Sequence, residues 1–461
     1  MSLPSKEAKS IPLGRLVAYS LPGFALAMPM IPALVFLPAF YGTALGLSAA
    51  GLALLIARSI DVLVDPFVGI LSDRYTTRWG RRKPWIVGGA IIGGIAMIQL
   101  FQPPTNVTVE YFILWSVMLY VGWTLVQIPY TAWGAEISSD YHQRTRITSA
   151  REGMMLIGIL AAGAVPAIVS GLGGTEQDGY TAMSWMAVLA GGPLIAIMLW
   201  HVPDIAPRSQ LKKTHTSTSS VLAEIRRVVS NRPFSRLVTA WFINGLATGI
   251  PASLFLLYLE HGLNANLTER GILTLVYFFS AVIAITIWLS FSRRWGKHRI
   301  WCLAMALACL AFVWVPLLGP GQLFAFGTIC VVTGIALGAD LALPPALQAD
   351  VVDYDTLRSG RQRAGLFFAL WSMSTKLAFA LAVGIIFPVL DAFDFSPTGE
   401  NDSHAILAVA VAYSLVPVAL KIVTILMIWK FPITSRRHNI IRKRIDSLAT
   451  RTANEHPRHG A

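Results

Sequence analysis

Apolar residues run through this chain in twelve blocks of roughly 20, the length of a helix that crosses a bilayer. The blocks lie near 15–41, 48–71, 84–102, 109–136, 147–170, 181–201, 235–260, 268–291, 298–318, 321–348, 363–390 and 404–430. A polar stretch from Pro203 to Phe234, containing "PRSQLKKTHTSTSS", separates the sixth block from the seventh. The pattern predicts an all-α membrane protein of twelve transmembrane helices. Its parts are a six-helix half over 1–202, a linker over 203–234, a second six-helix half over 235–432 and a tail over 433–461. Helix 1 contains Pro22, Pro29, Pro32 and Pro38 and no acid, which predicts a bent helix with an apolar wall.

Composition agrees with this pattern. Of 461 residues 55% are hydrophobic and 13% charged, against about a quarter charged in soluble proteins. The mean hydropathy is +0.60. The net charge of +13 is segregated. Lys and Arg fill the amino terminus, the loops after helices 2, 4, 6, 8 and 10, and the tail, whereas the alternate loops hold only Arg270. Cytoplasmic loops carry such an excess. The charge therefore reports topology rather than nucleic-acid binding, with both termini cytoplasmic in a multi-pass protein of the cell (inner) membrane. The opening "MSLPSKEAKSIPLGR" does not read as a cleavable signal, and the basic tail reads as a solvated end that helps fix topology. Membrane lipid is one expected partner, and the protein is expected to act as a monomer. Cys302, Cys309 and Cys330 lie in predicted helices without metal or redox spacing and read as packing residues.

The charges inside the blocks carry the chemistry. On helix 2, Arg58, Asp61 and Asp65 fall at i, i+3 and i+7, on one helical face. Each charge at mid-bilayer costs at least about 2.5 kcal/mol, so that face should meet a polar cavity. A carboxylate partly withdrawn from water holds a proton nearer neutral pH, and two adjacent carboxylates favour one cation that relieves their repulsion. The alternative is an ion pair plus one protonated aspartic acid that merely packs. Helix 4 offers a polar stripe of Tyr120, Trp123, Thr124, Gln127 and Thr131, with Tyr130 beside it. Aromatic rings can stack on sugars there while amides and hydroxyls bond their hydroxyl groups. On helix 10, Asp340 precedes Pro344-Pro345, which should break or kink the helix beside the acid. It is a site candidate or an internal partner for Lys376. Asn244 on helix 7 is a further cavity candidate, and Lys421 on helix 12 is expected to snorkel.

Two loop patterns recur at matching places in the two halves. After helix 2 the chain reads G-x-L-S-D-R-x3-R-x-G-R-R-K from Gly69 to Lys83, and after helix 8 "SRRWGKHR" gives a worn copy. Acid-then-basic runs follow helix 4 (Glu136 to Arg151) and helix 10 (Asp350 to Arg363). This suggests an internal duplication, as in transporters built from parallel halves. Asp73 could cap or pair with arginines at helix ends. Asp73, Arg74, Arg81, Arg82, Glu136, Asp350 and Asp353 are therefore gating candidates.

The first loop resembles the signature of the major facilitator superfamily. "DPFVGILSDRYTTRWGRRKPW" and "QADVVDYDTLRSGRQRAGLFFALWSMSTKLAFALA" resemble the glycoside–pentoside–hexuronide:cation symporter family, which includes the melibiose carrier. The likeness spans nearly the whole chain in helix layout, and related branches move lysophospholipids. It implies a major facilitator fold, cation-site carboxylates at Asp61 and Asp65, a hydroxyl at Thr124, Lys376 approaching that region, and Arg151 turned toward the solute. It also implies departures: Val64 replaces an amide at the sodium site, Gln127 replaces a sugar-binding acid, and helix 1 lacks another.

The resulting expectation is cation-coupled symport of a glycoside or similar small organic solute, without a cofactor. H⁺ is the expected coupling ion and Na⁺ the alternative, because Val64 supplies no oxygen. Arg58 should keep Asp61 ionised, leaving Asp65 as the proton carrier. A lysolipid-like solute is the alternative cargo. A membrane-embedded enzyme or sensor is the remote one, since no nucleotide loop, metal cluster or nucleophile–base spacing supports it.

Overall fold

The computed structural model describes residues 11–29, 37, 41, 45, 47–104, 106–138, 140–204, 221–396 and 401–455. Helix 1 begins as α1 (Leu13–Ser20) and α2 (Pro22–Ala27). The break falls where Pro22, without an N–H, cannot continue the ladder; Pro32 and Pro38 lie outside the described residues. Helices 2 to 6 are α3 (Leu47–Arg74), α4 (Lys83–Phe101), α5 (Val109–Ile137), α6 (Tyr141–Gly171) and α7 (Glu176–His201). The linker contributes α8 (Val221–Val229). Helices 7 to 12 are α9 (Arg232–Leu257), α10 (Leu267–Trp295), α11 (Lys297–Phe312), α12 (Leu323–Ser359), α13 (Ala364–Asp391) and α14 (Ser403–Ile428). The tail forms α15 (Ser435–Glu455).

Nine helices among the described residues are long and apolar enough to cross a membrane. The other spans, α3 and α6, have 28 and 31 residues. They are as long as the rest, and both carry charge: Arg58, Asp61, Asp65 and Asp73 on one, Arg144, Arg146, Arg151 and Glu152 on the other. With the broken first helix they complete the set of twelve.

The chain divides into two compact units. The first takes residues 1–221 together with 352–369 and 435–461; the second takes 222–351 and 370–434. In the first unit a core forms around Met28, Ala96, Phe101, Phe112 and Met183, and another around Tyr19, Ile86, Tyr130, Trp133 and Met198. In the second, Leu254, Tyr258, Phe312, Phe326 and Tyr413 form the centre. Helix ends are closed by polar side chains. Thr175 with Asp178 and Asn266 with Glu269 form capping boxes on α7 and α10, and Asp402 accepts the Ala405 N–H on α14.

Candidate functional site

Helices α3 and α5 bring the predicted coupling residues together. Asp65 and Thr124 are almost fully buried, and Asp61 nearly so. The Thr124 hydroxyl stands 2.9 Å from Asp61 Oδ1 and 2.8 Å from Asp65 Oδ1. A hydroxyl carries one proton, so it can donate to only one carboxylate. The second short contact is satisfied when the other carboxyl is protonated and donates to Thr124 Oγ1.

The remaining residues of this face are arranged less uniformly. The Arg58 side chain is exposed, and its guanidinium sits 5.6 Å from the Tyr120 ring centroid, within cation–π range. Among the described contacts it does not form the expected ion pair with Asp61. Trp123 and Gln127 are half-buried on α5, and among the described residues the buried Gln127 Oε1 has no hydrogen-bond partner. The Thr131 hydroxyl bonds the Gln127 and Ile128 carbonyls of its own helix, which removes it from the stripe. Tyr130 exchanges bonds with Tyr19, each hydroxyl donating to the other's carbonyl at 2.6 and 3.0 Å. It therefore ties α5 to α1. Arg151 is buried and paired with its neighbour Glu152, whose role sequence reasoning missed.

At the basic-loop end of the first unit, Arg82 is fully buried. It donates to Asp73 at 2.6 Å, Glu136 at 2.8 Å and the Ser72 hydroxyl at 2.9 Å, and Arg81 also pairs with Glu136. Burial opposes the Arg82 charge, but Glu136 and Asp73 outweigh it and lift the guanidinium above its ordinary range. Asp73 reaches further, accepting the Gly365 N–H on Oδ1 at 2.9 Å and the Leu366 N–H on Oδ2 at 3.0 Å. It thus closes the N-terminus of α13, where orphan amides and the helix dipole favour an anion. Asp204, unremarked in sequence, does the same for α4 by accepting the Arg82 N–H at 2.8 Å. Arg74, expected beside Asp73, is instead exposed. It lies at the end of α3, where its long side chain reaches water, and the loop folds Arg82 back into the site.

Asp353 is held by two arginines and a histidine. Arg144 lies 2.6 Å away, His438 2.9 Å and Arg442 3.1 Å. Arg144 also donates to the Ala135 and Ser138 carbonyls, while His438 is fully buried. The tail is accordingly not a solvated end. Helix α15 docks the face carrying His438, Arg442 and Ile445 and leaves Arg436, Arg437, Lys443 and Arg444 outward.

In the second unit the worn loop keeps one working cation. Lys297 meets Asp350 at 2.6 Å with both side chains fully buried. This repeats the first unit's pairing of Arg82 with Glu136, a loop cation on an acid of the helix two spans later, and gives the duplication a physical form. Lys421 does not snorkel. It is buried on α14, 3.0 Å from Asp340 Oδ2 and 3.0 Å from Asn244 Oδ1, and Trp301 Nε1 donates to Asp340 Oδ1 at 2.5 Å. Asp340 therefore has Lys421, not Lys376, as its buried partner. Helix α12 runs on through Pro344 and Pro345 rather than breaking. Lys376 is half-buried on α13, while Trp241 donates to Thr375 and stacks 4.5 Å from Trp371. The three cysteines are free and buried.

Known proteins resemble this chain along most of its length. The isoprimeverose transporter of Lactiplantibacillus pentosus is 23% identical over 428 residues, covering 88% of this chain and 86% of that one. The human sodium-dependent lysophosphatidylcholine symporter 1 is 22% identical over 431 residues, covering 87% and 79%. In structure, the chain matches the proton:xylose symporter XylE, solved with 6-bromo-6-deoxy-D-glucose, with a TM-score of 0.65 at 14% identity, over 92% of this chain and 96% of that one. This likeness shows the major facilitator fold. The model of one family, described as MFS/sugar transport protein, matches residues 18–435. The chain belongs to the MFS/sugar transport protein family.

Proposed function

We propose that this protein is a secondary active transporter that couples symport of a glycoside or similar small organic solute to H⁺ at Asp61, Asp65 and Thr124. The observation that carries this reading is the single Thr124 hydroxyl between two carboxylates, 2.9 and 2.8 Å away. Those are hydrogen-bond separations. Oxygens spread octahedrally around a cation at about 2.3–2.6 Å would stand about 3.3–3.7 Å apart. The trio therefore suits a proton better than Na⁺, which remains the alternative ion.

Solute contact is assigned to Trp123, Gln127, Tyr120 and Arg151, with Lys376, Asp340 and Asn244 from the second unit. The partnerless Gln127 Oε1 supports this, because a buried amide oxygen without a donor suits a solute hydroxyl. Asp73, Arg81, Arg82, Glu136, Asp350 and Asp353 form the gating network on the cytoplasmic side. The proposal keeps the protein a monomer in the cell membrane with both termini cytoplasmic.

A lysolipid-like solute is the second reading. It is favoured by the acid-free helix 1, "SLPGFALAMPMIPALVFLP", and by the lysophosphatidylcholine-carrying relative. Purified protein in sodium-free proteoliposomes under an imposed pH gradient separates these readings. Gradient-driven accumulation of a glycoside from a labelled panel supports the proposal. Uptake that requires sodium and ignores pH overturns the ion, and uptake of lysophosphatidylcholine alone overturns the solute.

A further inference from the structure

Within the second unit, Asp340 and Lys421 form an ion pair deep in the span, and nothing in the coupling trio on α3 and α5 uses it. We propose that Asp340 is a second proton-binding site, with Lys421 as the cation it exchanges for a proton. The inference rests on the proton-symport reading above.

A buried ion pair is seldom retained for stability, since an apolar pair of similar volume serves as well or better. Ionisable residues in a span mark ion or solute pathways by default. The repeat supplies an internal control. Asp350 and Glu136 are the acids that pair with loop cations in the two units. Asp340 lies ten residues before Asp350, and ten residues before Glu136 stands Val126, a buried apolar residue. The duplicated scaffold thus packs at this level without a charge, and the second unit carries one regardless.

The surroundings suit exchange. Lys421 on α14 is shared between Asp340 Oδ2 and Asn244 Oδ1 on α9, so it keeps one partner when it leaves the acid. Trp301 on α11 holds the other carboxyl oxygen and fixes its orientation. Pro344 and Pro345 have no N–H to give the Asp340 and Leu341 carbonyls, which loosens α12 beside the acid. Among the described residues, Tyr277 on α10 and Cys309 on α11 are titratable groups within electrostatic reach of the pair.

The step balances simply. A proton from water binds Asp340 Oδ2, Trp301 keeps its bond to Oδ1, and Lys421 remains an ammonium bound to Asn244. The cluster changes from neutral to +1, which is unfavourable in a span unless a new acceptor meets Lys421. A solute oxygen is that acceptor. Protonation without solute strands the ammonium, and solute without protonation finds Lys421 held by Asp340. The two bind together, as coupling requires.

The test uses the proton itself as probe. Proteoliposomes of the full chain on a solid-supported membrane, with a glycoside that wild type accumulates present at equal saturating concentration on both sides, receive an acid jump without sodium, and the displaced charge is integrated. Wild type should displace charge at both sites. Asp65→Asn and Asp340→Asn should each lower it to about half, Asp65→Asn with Asp340→Asn should abolish it, and Asp340→Glu should retain it. If Asp340→Asn strands Lys421 and fails to insert, Asp340→Asn with Lys421→Gln removes both charges and should give the same loss. An Asp65→Asn protein that is already silent, or Asp340 variants that match wild type, would overturn the second site while leaving the first. A silent wild type would overturn proton symport itself.

Discussion

Asp73 Oδ1 accepts the backbone N–H of Gly365 at 2.9 Å, across 292 residues of sequence. The approach is close enough that a Cβ on Gly365 would collide with the Gly69 carbonyl and with Asp73. Glycine is required there by the absence of space. Asp73→Asn keeps the shape but replaces one acceptor oxygen with an NH₂ group, so it cannot serve both the Gly365 and Leu366 amides. The latch should open more often. A cysteine placed at the buried Ser72 should then react with a water-soluble maleimide at least several-fold faster than in the Asp73 background. The native cysteines, all buried, should contribute little. Equal labelling rates would show that Asp73 holds nothing closed.

Arg82 and Arg74 belong to one motif yet differ in environment, the first fully buried on two acids, the second exposed. Removing one partner of a buried pair costs about 3–5 kcal/mol because the other charge is stranded. A surface substitution stays within about 0.5 kcal/mol. Arg82→Ala should therefore lower the thermal midpoint of purified protein and abolish uptake, while Arg74→Ala leaves both near wild type. The reverse order would refute the pairing.

Helix α15 is held through His438 on Asp353, 2.9 Å apart. A double-mutant cycle with His438→Ala and Asp353→Ala should give a coupling of about 0.5–3 kcal/mol in thermal unfolding. Truncation before Ser435 should lower stability more than His438→Ala alone, because Arg442 and Ile445 are lost too. Additive single effects would return the tail to the status of a free end.

The helix count and the α3 carboxylates were legible because both rest on local regularities, the length of apolar runs and the spacing of charges on one turn. The Asp61–Thr124–Asp65 meeting was legible through family resemblance, which aligned α3 with α5. Partner choice was not. Asp340 could be matched with Lys376 or Lys421 only once α12 and α14 were packed, and a lone Lys near a helix end reads as a snorkelling residue. The tail's docking was hidden for a similar reason. Its basic composition suggests solvation, and the one face bearing His438, Arg442 and Ile445 has meaning only against Asp353. Arg74 and Arg82 are chemically identical in the motif, and what separates them is the fold of the loop.

Thr124→Val removes one hydroxyl and keeps the side-chain shape. Asp61 and Asp65 then lose the group that bridges them, and a buried polar atom left without its partner costs about 1–3 kcal/mol. Uptake driven by a pH gradient should fall at least several-fold, whereas Thr124→Ser should retain it. A Thr124→Val protein with full concentrative uptake would show that the hydroxyl is not part of the ion site.

Asp65→Asn tests the coupling ion most directly. Asparagine has nearly the volume of aspartic acid and mimics its protonated form, so the variant should fold and bind solute as if permanently loaded. A carrier so fixed can exchange internal for external solute but cannot use a proton gradient through this site. One pH unit is worth about 1.4 kcal/mol, which sustains roughly tenfold accumulation per proton. Wild type without sodium should therefore reach at least roughly tenfold accumulation at that gradient if one proton is carried, and roughly a hundredfold if Asp340 carries a second. Asp65→Asn should exchange labelled solute at a rate near wild type while losing the accumulation that Asp65 drives. Uptake by wild type that follows a sodium gradient and ignores pH would assign the site to sodium instead.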